Sequence, residues 1–440
     1  MKKPLAVVSC PIDTYSGYGA RSRDFVKALI KSKGEEWNIR ILPQKWGGTK
    51  FGYLEEHKEE ELAKRMIKDM PSKPKVWIQI TIPNEFQAVG DYNIGVTAAM
   101  ETTLSHSSWI EGVNRMNLVL TSSEHSKASL VDTKYDMQNN QTGEKQGTLE
   151  VSKDVTVEVL FEGLDLEKYN GEFSRKTNVK IIESLDSIKE SFCFLFVGSW
   201  MQGNHRQDRK NVGGLIENFL TTFKTQSQKP ALILKSHCAS TSIMDREEIF
   251  KKIDLIRKEV GGSLPNIYLL HGEINDSEIN TLYNHPKVKA MVSFTRGEGF
   301  GRPLLEFTST GKPIIASGWS GQIDFLRSDL NYLVGGKLET VHASAVIKDM
   351  ILAEAKWFTF DDKLAKDNLK FVYKHYKKAL ANGKKQRVVT RKYFTIDKMQ
   401  EKLEEILNKN IPKFAIESAF IPPATVKPLE INLPKKLKRK

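Results

Sequence analysis

Residues 293–321 read SFTRGEGFGRPLLEFTSTGKPIIASGWSG, and two carboxylates, Glu298 and Glu306, frame the glycine-rich loop within it. The apolar run Ala290-Met291-Val292 just upstream reads as the end of a buried strand. Pro303 suits the first turn of a helix, where its missing N–H and fixed φ cost nothing. Leu304, Leu305 and Phe307 then give that helix an apolar face. The stretch predicts strand, loop and helix, with Glu306 in the helix's first turns. The free N–H groups and dipole of a helix start make a site for an anion. Gly299 and Gly301 let a ligand approach the backbone closely. Pro313-Ile314-Ile315-Ala316 predicts another short strand, and Ser317-Gly318-Trp319-Ser320-Gly321 a second glycine-rich loop.

A carboxylate pair repels phosphate, so in such a site the backbone N–H groups take the anion and the carboxylates take hydroxyls. A ligand with both groups is a nucleotide sugar; the plain alternative is two exposed glutamates on an ordinary crossover. The string Glu298-Gly299-Phe300-Gly301-Arg302-Pro303-Leu304-Leu305-Glu306 resembles the E-x7-E signature of retaining glycosyltransferases of the GT-B fold, family 4. It departs at Phe307-Thr308, where that family often has Ala and a small apolar residue. The resemblance implies an α/β protein in which two Rossmann-like domains face each other across a cleft and a C-terminal helix crosses back to the first. It implies that Glu298 contacts the donor sugar's hydroxyls near the reacting carbon, as the catalytic residue, and that Glu306 binds the nucleotide ribose. N–H groups of Gly299, Phe300 and Gly301, with Arg209 and Lys210, would hold the diphosphate. The co-substrate would be a nucleotide-diphosphate sugar, with no other cofactor and no metal required. The acceptor oxygen would attack from the leaving-group side, with a phosphate oxygen as base.

The chain begins with a short apolar run, Leu5–Cys10, which predicts a first buried strand and is too short for a signal sequence. Asp13-Thr14-Tyr15-Ser16-Gly17-Tyr18-Gly19 and a helical pattern follow, a second strand–glycine loop–helix unit. By resemblance Gly17 and Gly19 face the donor phosphates; a plain βα turn is the other reading, since the full dinucleotide fingerprint is absent. Residues 55–70 predict one charged, solvated helix. Strands at 76–80, 92–97 and from 118 alternate with helices, which indicates a parallel sheet. Ligands bind at the carboxyl ends of such strands, so Glu101, His106 and Glu124 are placed to line a cleft. Many relatives carry His-Asp there; Glu101 or His106 stands on the acceptor side as the substitute. Asp91–Leu130 also looks like glycosyltransferases encoded by large tailed phages. Residues 134–152 predict an inserted loop or hairpin before a strand at Val155–Leu160, and Glu162-Gly163-Leu164-Asp165 resembles the family's turn closing the first domain.

A linker is expected over 173–190. Phe192–Gly198 then opens a second domain whose first loop is basic, Arg206-Gln207-Asp208-Arg209-Lys210-Asn211. Arg and Lys clamp phosphates well. Lys210 matches the family's lysine, but Ser199 and Trp200 stand where its arginine would be, so Arg206 or Arg209 must supply that charge. From Glu339 onward the pattern reads as mostly helical, and 393–408 as one amphipathic helix that crosses back to the first domain. The divisions expected are 1–175, 190–392 and 393–440. The prolines at 422, 423, 428 and 434 exclude regular helix at the end.

Three scattered cysteines, Cys10, Cys193 and Cys238, lack metal-ligand spacing and suit a reducing compartment. With no run long enough to cross a bilayer, the expected location is the cytoplasm, the host's if the gene is a phage's. The net charge of the 440 residues is +13. Nearly all of it lies in residues 361–440, with 21 Lys and Arg against 9 Asp and Glu. Such a localised excess suggests a polyanionic partner. DNA carrying hydroxylated bases is preferred as acceptor over a lipid-linked or envelope glycan on an anionic membrane, because the stripe lacks the bulky apolar face an interfacial helix needs. A non-catalytic nucleotide-sugar-binding module is the competing class, and the sequence leaves the oligomeric state open.

Overall fold

The computed structural model describes residues 3–414 except 140 and 239. The late prolines and the basic run Lys435–Lys440 lie outside the described residues. The first half contains β1 (Leu5–Cys10), α1 (Gly17–Lys33), β2 (Asn38–Pro43), α2 (Tyr53–Glu56), α3 (Glu60–Ala63), β3 (Val76–Ile80), β4 (Tyr92–Thr97), α4 (Ser107–Val113), β5 (Leu118–Thr121), α5 (Glu124–Val131), β6 (Tyr135–Gln138), β7 (Lys145–Leu149) and β8 (Thr156–Val159). The second contains α6 (Val179–Asp186), β9 (Cys193–Val197), α7 (Val212–Phe223), β10 (Ala231–Lys235), α8 (Ile243–Val260), β11 (Ile267–Leu270), α9 (Asp276–Asn284), β12 (Val288–Ser293), α10 (Arg302–Thr308), β13 (Ile314–Ser317), β14 (Tyr332–Val334), β15 (Gly336–Thr340), β16 (Lys356–Phe360), α11 (Asp362–Lys374), α12 (Tyr376–Tyr393) and α13 (Ile396–Asn410).

Two parallel six-stranded sheets result, ordered β2-β1-β3-β4-β5-β8 and β11-β10-β9-β12-β13-β14. Their strands are runs such as Val76-Trp77-Ile78-Gln79-Ile80 and Cys193-Phe194-Leu195-Phe196, buried on both faces, as helices on either side of a parallel sheet require. Strand order reverses between β1 and β3 in one sheet and between β9 and β12 in the other. Those reversals are where open α/β sheets hold ligands, in the crevice outside the strands' carboxyl ends. The loops that leave β1, β9 and β12 are therefore brought to the cleft by topology.

α13 does cross back. Met399, Leu403, Ile406 and Leu407 join the core of the first sheet beside Ala28 and Leu29 of α1. Gly163 permits this: a Cβ there would lie 2.6 Å from the Ile396 Cα. The hairpin expected within 134–152 is β6–β7.

Three expectations are corrected. The single helix over 55–70 is two short ones, α2 and α3, because Lys58 takes a left-handed φ of 54° while Tyr53, Leu54 and Leu62 all turn inward. The linker over 173–190 contains α6, whose Ile181, Ile182 and Leu185 are buried. Residues after Glu339 do not go straight into helix: β15 and β16 pair antiparallel. This hairpin reaches the first domain, where Trp357, Val341 and Ile351 share a core with Met100, Trp109 and Ile110. Lys356 and Thr103 exchange two hydrogen bonds at 2.9 Å each. Among the described residues no helix is long and apolar enough to cross a membrane.

Candidate functional site

At the β9/β12 reversal the loop 206–211 meets the loop 294–301. Lys210 Nζ donates to Glu298 Oε1, and Arg209 Nη1 stands 3.6 Å from Glu298 Oε2. The same guanidinium nitrogen donates to the Gly297 carbonyl at 3.0 Å and reaches Glu101 Oε1, across the cleft, at 3.1 Å. Glu298, Arg209, Lys210 and Glu101 are thus one cluster, two cations and two carboxylates. Burial works to raise the Glu298 carboxyl, but Lys210 and Arg209 outweigh it and hold it below the usual range. Burial lowers Lys210 in turn, against the pull of Glu298.

The loop bearing Glu298 is pinned from both domains. Its own amide donates to Ser320 Oγ at 3.0 Å, and its carbonyl accepts from Gly321 N at 3.0 Å. The next carbonyl, of Gly299, accepts the hydroxyls of Ser122, Ser123 and Ser126 from the first domain. Glycine is required along this path. A Cβ on Gly297 would lie 1.8 Å from the Glu101 carbonyl oxygen, and one on Gly299 2.8 Å from that of Ala98. Gly301 takes φ 95° as it enters α10. Phe300 is buried in the core against Phe325 rather than facing the cleft with its side chain.

Glu306 belongs to a second cluster. Arg302 Nε donates to its Oε1 at 3.0 Å, and the Tyr283 hydroxyl to its Oε2 at 3.3 Å. Arg302 Nη1 also binds Asp24 of α1 at 2.7 Å and lies 3.5 Å from Glu162. Three carboxylates therefore share one guanidinium between the domains. Burial works against the Arg302 charge, yet Asp24, Glu306 and Glu162 outweigh it and hold that charge firmly. The surplus of carboxylate appears in Glu306, which burial pushes up to about 7. A cavity of about 710 Å³ opens near this cluster, lined by Tyr53, His57, Lys168, Asn275 and Asp276. Another of about 990 Å³, lined by Lys3, Trp37, Arg40 and Leu407, lies at the opposite strand ends and touches neither cluster.

From the first domain, Ser16 caps α1 by accepting from Gly19 N at 2.9 Å. Gly17 has open space where a Cβ would stand, whereas Gly19 lets the helix approach the Thr14 carbonyl, 2.3 Å from its ideal Cβ. Two residues sit elsewhere than expected. Arg206, at a left-handed φ of 61°, turns to Asp362 and Glu217 and leaves Arg209 as the arginine at Glu298. His106 caps α4 through its own ring, accepting from Ser108 N, and lies 3.4 Å from Asp349 beyond β15. Glu124 is exposed at the start of α5, where its amide donates to Asp324 at 2.9 Å. Sequence reasoning passed over Arg302 and Asp24. The signal was present for Arg302, four residues before Glu306 on one helix face. For Asp24, 278 positions away from Arg302, there was none. No group of three or more His, Cys, Asp or Glu placed to hold a metal ion occurs among the described residues.

No family model and no curated protein sequence matches the chain. Solved structures do. A glycosyltransferase from Rickettsia africae ESF-5 superposes with TM-score 0.60 at 12% identity, over 93% of this chain and 99% of that one. HepE from Anabaena, solved with UDP and glucose, gives 0.59 at 12%, over 92% and 100%. Sucrose-phosphate synthase from Thermosynechococcus elongatus gives 0.57 at 12%, over 93% and 99%. The likeness is one of fold, and that fold is GT-B, spanning nearly the whole of each chain.

Proposed function

We propose that the protein transfers a sugar, with retention, from a nucleotide-diphosphate sugar to an acceptor hydroxyl. The observation that carries this is the Glu298–Lys210–Arg209 cluster at the β9/β12 reversal, which meets Glu101 of the first domain across the cleft of a GT-B fold. Neighbours of the same fold have been solved with UDP and UDP-glucose, which supports a nucleotide-sugar donor here. Lys210 and Arg209 would neutralise the diphosphate as the bond from the anomeric carbon to phosphate oxygen breaks. Fixed charges aimed at that developing anion stabilise the transition state without reorganising. Glu298, kept ionised by the same cations, would accept the donor sugar's hydroxyls. The acceptor oxygen bonds to the anomeric carbon on the face the diphosphate leaves, and its proton passes to a phosphate oxygen. Glu306 would accept the ribose hydroxyls and Glu101 would face the acceptor.

For the acceptor we favour DNA with hydroxylated bases over a lipid-linked or envelope glycan, on the basic excess of residues 361–440. Assignment to family 4 rests on the motif around Glu298 and Glu306, and a tailed-phage origin on Asp91–Leu130. The test is a screen of nucleotide sugars for donor hydrolysis, read as released nucleoside diphosphate. One active donor, with activity lost in Glu298→Gln, is expected. Binding of a nucleotide sugar without turnover in any acceptor mixture would leave a binding module instead.

A further inference from the structure

We propose that the exposed face of α12 is a docking surface for the phosphodiester backbone of duplex DNA. This deepens the acceptor part of the proposed function and rests on it. α12 is an 18-residue helix without a single Asp or Glu. Its buried stripe is Ala379, Gly383, Gln386 and Thr390, spaced for one side of a helix. Gly383 seats that stripe hard against the turn after α10, since a Cβ there would lie 2.6 Å from the Gly311 carbonyl oxygen. The opposite side is thereby committed to solvent. It carries Lys377, Lys378, Lys384, Lys385, Arg391 and Lys392, all exposed.

Among the described residues these cations have little to neutralise them. Asp329, within electrostatic reach of Lys385, already accepts two hydrogen bonds from Arg327 at 2.9 Å. Arg391 donates to a neutral carbonyl, that of Asn170. Lys392 lies over the Tyr393 ring. The six fall in three adjacent pairs, 377/378, 384/385 and 391/392, seven residues apart, so successive pairs are about 10.5 Å apart along the helix. One DNA strand places a phosphate about every 3.4 Å, so successive pairs meet roughly every third phosphate. A membrane fits less well. Val388, 65% exposed, and Tyr393 at the helix end, 51% exposed, are the large apolar groups that α12 offers. An interfacial helix buries a broad face of Trp, Phe or Leu.

The experiment measures binding of the full chain to a labelled duplex of about 25 base pairs from 50 to 200 mM salt. Neutralising six phosphates predicts a loss of about 10³-fold across that range. The variant K377E/K378E/K384E/K385E is expected to bind at least tenfold more weakly at low salt, with a shallower salt slope. The milder K377Q/K378Q/K384Q/K385Q, checked for helix content by circular dichroism, is expected to fall between. Donor hydrolysis without acceptor should be unchanged in both, which separates failure of the docking surface from failure of the catalytic reading. No duplex binding by the parent chain at 50 mM salt overturns the proposal. So does duplex binding that the four-site variants leave intact. Binding to phosphatidylglycerol vesicles in place of DNA, lost in the same variants, would assign the face to a membrane instead.

Discussion

Lys210 and Glu298 are each other's main counter-charge in a buried place, so neither can be changed alone without exposing the other's cost. Removing one member of such a pair destabilises by roughly 3–5 kcal/mol. Arg209 at 3.6 Å remains for Glu298, which places Lys210→Met at the low end. The double variant K210M/E298Q should recover much of that stability in chemical denaturation and none of the activity. Glu298→Gln alone should lower turnover by about 10²–10³-fold, the scale of losing one fixed electrostatic group. Its affinity for nucleoside diphosphate should stay nearly unchanged in calorimetry. Glu306 gives a pH signature. With its carboxyl at about 7, it is mostly ionised at pH 8 and able to accept ribose hydroxyls, and mostly protonated at pH 6. Affinity for the nucleotide sugar, whose diphosphate does not titrate there, should therefore fall about tenfold from pH 8 to pH 6. Glu306→Gln should bind weakly with a flat profile, and an unchanged slope in that variant would remove Glu306 from the ribose.

At the scale of elements, Gly297 is the tightest joint between the two domains. Its missing Cβ leaves room for the Glu101 carbonyl, so Gly297→Ala must move the loop or part the domains. A displacement of about 1 Å at a reacting centre can reduce rate about 10²-fold. The expected outcome is a large loss of turnover with most nucleotide affinity kept; equal losses in both would point to general unfolding of the loop. How legible each element was follows from where its stabilisation comes from. The loop around Glu298 and the strands before and after it were legible, because glycine, proline and apolar runs fix them locally. α13 was legible from its periodicity. The break at Lys58 was not, since a left-handed lysine carries no local mark and Tyr53, Leu54 and Leu62 on either side of it all pack into the distant core of the first sheet. β15 and β16 were missed because their apolar residues divide between two cores: Phe358 and Phe360 join that of their own domain while Trp357 joins Trp109 and Ile110 of the other, contacts no window of sequence contains. Arg206 and His106 were misplaced for a related reason: their partners Asp362 and Asp349 lie more than a hundred residues downstream.

For the whole molecule, several polar contacts cross the cleft, and the ion pair Arg302–Asp24 joins α10 directly to α1 at 2.7 Å. Asp24→Asn keeps the shape and removes the charge. A charge-assisted hydrogen bond contributes about 1.5–3 kcal/mol, so the ligand-free variant should shift towards an open form. Small-angle scattering should show a larger radius of gyration that returns towards the parent value when nucleoside diphosphate is added. Identical radii with and without the substitution would mean that the hairpin β15–β16 and the serine hydroxyls on Gly299 suffice to keep the domains closed.

The return of α13 to α1 also sets an order on how the chain is made. Met399, Leu403, Ile406 and Leu407 complete the core of the domain that is synthesised first. Ribosomes add about 5–20 residues per second. The side of α1 that α13 covers therefore waits roughly 10–50 s, while the second domain is being translated, without its apolar cover. During that interval the nascent first domain presents Ala28 and Leu29 to whatever binds oily surface in the cell. A stalled or truncated product ending before α13 should be a chaperone client and a target for proteolysis, even with every strand of its own sheet in place.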